Sequence, residues 1–146
     1  MATYNKHNIF TLDLINGVHQ FNSHSFKILL TNTAPVATNS IRGDLTELAT
    51  GNGYTQGAAG LALTLATNQT GAAGTARAVP SSDITVTATG SLGPFRYVDL
   101  YNDTPTSPAD PLVSWWDYGS AITLAATETF TTDFDNTNSG GLFGLA

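Results

Sequence analysis

Apolar residues along this chain recur mostly at every second position. Phe26, Ile28 and Leu30 alternate with Lys27, Leu29 and Thr31, Leu61, Leu63 and Leu65 alternate with Ala62, Thr64 and Ala66, and residues 84–89 repeat the pattern. A period of two marks strands with one face buried. Two richer runs, 95–101 and 112–118, flank a turn-forming stretch holding Pro105, Pro108 and Pro111. Aromatic and β-branched runs bounded by such residues predict two antiparallel strands joined by a loop. Alternation sets Phe95, Tyr97, Asp99 and Tyr101 on one face, with Arg96, Val98 and Leu100 on the other. In the second run Leu112, Ser114, Trp116 and Tyr118 oppose Val113, Trp115 and Asp117. Neither face is polar, so the pair is expected at the centre of its sheet, one face in the core and the other against a further layer or another subunit.

Further short strands are expected at 121–124, 128–134 and 142–145, the last two as a terminal hairpin turning through 135–141. Residues 5–16 fit two periods. Phe10, Leu12 and Leu14 alternate, whereas His7, Phe10, Leu14 and Val18 follow helical spacing. Gly17 directly after the run favours a short helix, the rival being a hairpin turning at Asn16-Gly17. From Val36 to Gly60 periodicity is weak and small residues dominate, which predicts a long loop with one short turn near 44–48, used for contact with a neighbour. The expectation is one all-β domain over 1–146: an antiparallel β-sandwich or jelly-roll-like barrel of about seven or eight strands, with one short N-terminal helix.

Composition sharpens this picture. The chain has 146 residues and no cysteine, so no disulfide or thiolate metal site supports the fold. Charged residues make up 11%, against about 25% in ordinary soluble domains, which lowers the desolvation cost of laying surface against surface in an assembly. Net charge is −6, and neither lysine nor arginine follows Arg96. Without a basic patch, nucleic acid is excluded as a direct partner. No apolar run is long enough for a membrane helix and Met1 to His7 lacks the regions of a signal peptide, so a soluble protein made in the cytoplasm is expected.

Candidate chemistry is sparse. His7, His19 and His24 lack the spacing of a metalloprotease motif, and no G-x-S-x-G elbow occurs. Asp133, Asp135, Asn138 and Gly140 resemble a calcium loop only loosely, and a turn explains them equally well. Carboxylate pairs such as Asp44 with Glu47, or Asp103 with Asp110, are not singled out as a glycosidase pair by anything in the sequence. Gly51 to Gly57 matches no phosphate-binding fingerprint. No catalytic, cofactor-binding or metal-ligating residue is therefore assigned, and the protein is expected not to be an enzyme. Trp115, Trp116 and Tyr118 could stack on sugar rings, although adjacent tryptophans on a strand point to opposite faces.

Gly51-Asn52-Gly53-Tyr54, Gly93-Pro94-Phe95-Arg96-Tyr97, Leu100-Tyr101-Asn102-Asp103, Trp116-Asp117-Tyr118-Gly119-Ser120 and Glu128-Thr129-Phe130 form a pattern running from about Lys6 to Ala146. It resembles that of small β-rich virion proteins of tailed bacteriophages. The resemblance implies a head decoration, or cement, protein on the capsid exterior, with the major capsid protein as partner and a homo-oligomer, a trimer, as the assembling unit. A tail or head-fibre component, including a host-adhesion or carbohydrate-binding module, is the alternative. Interface candidates are Tyr4 and Phe10 in the N-terminal segment, Arg42 and Tyr54 in the long loop, and Tyr97, Tyr101, Trp115 and Tyr118 on the aromatic strands.

Overall fold

Residues Tyr97 to Asn102 are all buried, on both faces of one strand. They lie in the middle of a five-stranded antiparallel sheet in a computed structural model that describes residues 2–65, 76–134 and 141–145. In chain order the described elements are β1 (Thr3–Lys6), α1 (Asn8–Ile15), β2 (Phe26–Thr31), β3 (Leu61–Leu63), β4 (Ala76–Ala78), β5 (Ile84–Thr87), β6 (Leu92–Asn102), β7 (Leu112–Leu124), β8 (Thr129–Thr132) and β9 (Phe143–Leu145). The main sheet runs β1-β7-β6-β2-β3, and two small ladders, β4-β9 and β5-β8, stand apart from it. The architecture is an all-β antiparallel sandwich with one short helix.

One face of the main sheet carries the larger core. Phe26, Ile28 and Leu30 of β2, Phe95, Val98 and Leu100 of β6, and Val113 and Leu124 of β7 meet Phe10 of α1, Ile84 and Val86 of β5, Ala78, Phe134 and Leu142. Each large side chain removed from water in this way contributes roughly 1.5–3 kcal/mol. Leu29, Tyr101 and Leu112 form a second, smaller cluster with Leu45 of the long loop. Strict pairing slips three times along β6 and β7; the shifts between Phe95 and Tyr97, and between Leu100 and Tyr101, put Phe95 with Val98 and Leu100 and leave Val113 as an extra residue facing the large core. The face assigned to Phe95 from a period of two is thus corrected by a bulge.

The long loop is hydrogen-bonded to the sheet along its inner side. The Leu48 N–H donates to the Leu30 carbonyl at 2.7 Å, and the Leu30 N–H donates to the Tyr54 hydroxyl at 3.1 Å. These bonds close the edge of β2 where β3, which pairs only with Phe26 to Ile28, no longer reaches. Thr31 Oγ1 donates to the Thr46 carbonyl at 2.6 Å and Tyr101 Oη to the Gly57 carbonyl at 3.0 Å, so the loop is pinned over the smaller cluster. Within it, Arg42 binds Glu47 and Asp110, both at 2.9 Å, while Tyr54 Oη donates to Glu47 at 2.7 Å. In place of the one short turn expected near 44–48, single 3-10 turns stand at Arg42–Asp44 and Gly57–Ala59.

Two expectations about the later strands are corrected. Residues 112–118 and 121–124 form one strand, because β7 continues through Gly119, whose φ of +98° carries an outward excursion rather than a chain reversal. The terminal hairpin does not form: β8 pairs with β5 and β9 with β4. β1 and β4 are strands that weak periodicity concealed. The turn expected at 135–141 and the loose calcium pattern fall mostly outside the described residues.

Gly53 separates steric from conformational causes. Its φ is +96°, and a Cβ there would lie 2.2 Å from the Thr87 carbonyl oxygen, whereas one at Gly119 would meet nothing within 4 Å. Gly53→Ala should therefore destabilise by about 2 kcal/mol or more in urea unfolding, and by clearly more than Gly119→Ala. Equal losses would show that the close approach to Thr87 is not a constraint.

Candidate functional site: the N-terminal segment and its anchors

Residues Asn8 to Ile15 are helical because the chain supplies a good ending. Gly17 adopts φ +73°, its N–H donates to Leu14 O at 3.2 Å, and the Val18 N–H donates to Asp13 O at 2.8 Å. This paired closure around a left-handed glycine satisfies carbonyls the last turn leaves open. The helix is nonetheless oriented against its own polarity. Phe10 and Asp13 are buried, while Leu12 is 53% and Ile15 79% exposed. Tyr4 and Val36 also stand out of the protein, and with Tyr118 these are the large apolar side chains exposed among the described residues. All but Tyr118 fall in the first 36 residues, so the N-terminal segment presents the apolar outer face.

Polar anchors to β6 and β7 hold that orientation. The His7 N–H donates to Val113 O at 3.2 Å, and its ring stacks obliquely on Trp115 with centroids 4.5 Å apart. His7 Nε2 lies 2.9 Å from Asp99 Oδ2, both side chains fully buried. Asp99 is pushed up to about 6, chiefly by desolvation, with the hydrogen bond and charge of His7 acting in the opposite sense. His7 Nδ1 and Asp99 Oδ1 have no hydrogen-bond partner. At the end of β6, Asn102 Nδ2 meets His24 Nδ1 at 2.9 Å, His19 Nδ1 at 3.2 Å and Val18 O at 3.3 Å. Burial, with a smaller contribution from neighbouring His24, brings His19 down to about 4.

Beside β1 an apolar groove of about 380 Å³ opens between β7 and β8, lined by Val98, Trp116, Tyr118, Phe130 and Phe134 among others. Tyr4 and Phe134 each meet the Trp116 ring edge-on, at 5.7 and 5.1 Å. Above the groove β7 bulges, since only Arg96 separates Phe95 from Tyr97 while their partners are Ile122 and Asp117. Arg96 clamps Asp117 with bonds of 2.7 and 2.9 Å, and the Gly119 N–H donates to Asp117 at 2.8 Å. That turn displays Tyr118.

The eight interface candidates are thereby divided. Tyr4 and Tyr118 are exposed; Arg42 is half-buried and held by two carboxylates; Phe10, Tyr54, Tyr97, Tyr101 and Trp115 are buried. As docking side chains the last five are corrected: they fill the interior between the sheet, the helix and the loop. Leu12, Ile15 and Val36 were not singled out by the sequence, though Asp13, three residues after Phe10, signalled that a helix burying Phe10 would turn its aliphatic residues outward.

No group of three or more metal-ligating side chains converges among the described residues. Ser114, paired with Leu100, belongs to the opposite face of the sheet from Asp99, so it is not placed against the His7–Asp99 pair. Lys27, Arg42 and Arg96 are each neutralised by carboxylates, and Lys6 donates to Thr11 Oγ1 at 2.8 Å. No helix of the described residues is long and apolar enough to cross a membrane. Comparison with family models, with curated proteins and with solved structures gave no match.

The Asp99 carboxyl makes a signed prediction. Its folded value, about 6, lies above its ordinary 3.8, so the native state holds this proton more tightly. The contribution is fully present below the unfolded value and is lost as pH rises through the folded one. The stability of the wild type minus that of Asp99→Asn should accordingly fall as urea unfolding is followed upward across that window. A difference that stays level would mean the carboxyl is not buried as described.

Proposed function

We propose that this protein is a non-enzymatic component of a tailed-phage virion, a decoration protein that binds the outer surface of the capsid and stabilises it. The observation that carries the reading is the outward-facing set Tyr4, Leu12 and Ile15 on a segment fixed by buried polar anchors, with Val36 of the long loop also exposed. Exposed aliphatic side chains on a rigidly held helix favour association, since covering them gains about 25 cal/mol per Å². The sparse charge supports the same conclusion, because few ions must be stripped of water when the surfaces meet. The major capsid protein is the partner, and the protein binds as a homotrimer whose several modest contacts act together through effective concentration.

The aromatic groove favours a second reading, a tail or head-fibre adhesion module. Trp116, Phe130 and Phe134 with the exposed Tyr118 offer ring faces and edges to a sugar or an apolar side chain.

Sedimentation with shells assembled without the protein tests the first reading. It should pellet with them, and a Leu12→Ser/Ile15→Ser variant should remain in the supernatant while its stability changes by only about 0.5 kcal/mol per exposed site. Wild-type protein left in the supernatant would reject decoration, and capture by host polysaccharide in the same format would favour adhesion.

A further inference from the structure

All of the chain's histidines, His7, His19 and His24, bind side chains of β6, and each lies in the segment that precedes β2. They are not equivalent. His7 faces a carboxylate, but His19 and His24 both turn Nδ1 toward the side-chain amide of Asn102. Asn102 Oδ1 already accepts the Thr104 N–H at 3.2 Å, which fixes Nδ2 as the atom facing the imidazoles. An amide nitrogen has hydrogens to give and no lone pair to offer, so both Nδ1 atoms must be acceptors and both rings must carry their proton on Nε2. Three acceptors, the two rings and the Val18 carbonyl, share two amide hydrogens.

We infer that Asn102, His19 and His24 form an acid-operated latch that holds the loop 17–25 and the C-terminal end of α1 on β6 and lets go when the imidazoles take up a proton. Protonation adds a hydrogen at Nδ1, placing donor against donor at 2.9 and 3.2 Å. Rotating the amide to present Oδ1 would place its NH₂ against the Thr104 N–H, so the clamp has no equivalent protonated form. The surroundings oppose a charged His19: Phe10, Phe21 and Phe26 pack around the ring at centroid distances of 5.4 to 6.3 Å. Asp13 of α1 is the carboxylate facing His19, with Oδ2 3.9 Å from Nε2. It too is desolvated, which raises its pKa and favours its neutral form as pH falls. Asp103, the charged residue following Asn102 on the chain, is held by Lys27 at 2.6 Å.

The sign follows from linkage. His19 is lowered from 6.5 to about 4, so its contribution is present above its unfolded value and is lost as pH falls through the folded one. Asp99 runs the other way, so its own titration does not destabilise the fold as pH falls. The inference concerns the mobility of the segment and does not depend on what that segment binds.

Hydrogen exchange of the whole protein tests this at about pH 7 and about pH 4, corrected for intrinsic rates, with β6 amides as the internal reference for global opening. The reporters are Val18, His24 and Ser25, whose N–H groups bond to Asp13 O, Gln20 O and Thr104 Oγ1. Their protection relative to β6 should drop roughly tenfold on acidification. A His19→Gln/His24→Gln variant, which keeps acceptors that do not titrate, should show no such drop. An unchanged ratio in the wild type, or an equal drop in the variant, would overturn the latch. Independently of whether that variant folds, wild-type NMR should show the Asn102 side-chain amide signals shifting with the imidazole titration; signals that stay fixed while His19 protonates would overturn it as well.

Discussion

The fold depends on one strand being buried from both sides. Residues Tyr97 to Asn102 send Val98 and Leu100 into the large core, while Tyr101 joins Leu29 and Leu112 beneath the long loop. A strand so placed has no solvent-facing side on which to keep polar groups, yet β6 carries Asp99 and Asn102, both without solvent exposure. Burying these groups is unfavourable unless they find partners. The partners come from the N-terminal segment, whose histidines reach both of them, so the demand for hydrogen bonds at the centre of the sheet determines where the first 25 residues lie.

That demand explains the orientation of α1. Hydrophobic burial alone would turn Leu12 and Ile15 inward and Asp13 outward. Instead, Phe10, with the half-buried Leu14, is what the helix contributes to the core, His7 and His19 are sunk on either side of it, and Asp13 follows His19 inward. The apolar outer face is thus a consequence of polar anchoring, and it is the feature on which the proposed attachment to a larger lattice rests. The paired cations, Lys27, Arg42 and Arg96, fasten loops and the β7 bulge to the sheet.

Alternation made β2, β3, β5 and the central pair legible in the sequence, and Gly17 announced the end of the helix. Regular period-two reasoning failed where β6 and β7 slip register, because a bulge reverses faces without changing composition. It also misplaced the aromatic residues. Tyr54 and Tyr101 look like surface aromatics in a loop-rich, weakly charged chain, but their hydroxyls satisfy Glu47 and the Gly57 carbonyl inside the protein. The loop at 36–60 has no periodicity to read, since its order comes from hydrogen bonds to β2 and β7 rather than from a ladder of its own. Least visible were the anchors: a histidine at 7 and an aspartate at 99 carry no local mark of being neighbours.

A double-mutant cycle on His7 and Asp99 tests the central claim, that buried polar pairing on β6 positions the N-terminal segment. Replacing either residue alone by leucine leaves the other buried without its partner and should destabilise by about 3 kcal/mol or more. Replacing both should destabilise by far less than the sum, leaving a coupling energy of at least about 2 kcal/mol. Losses that simply add would show that the two side chains do not depend on each other, and that something else holds the segment in place.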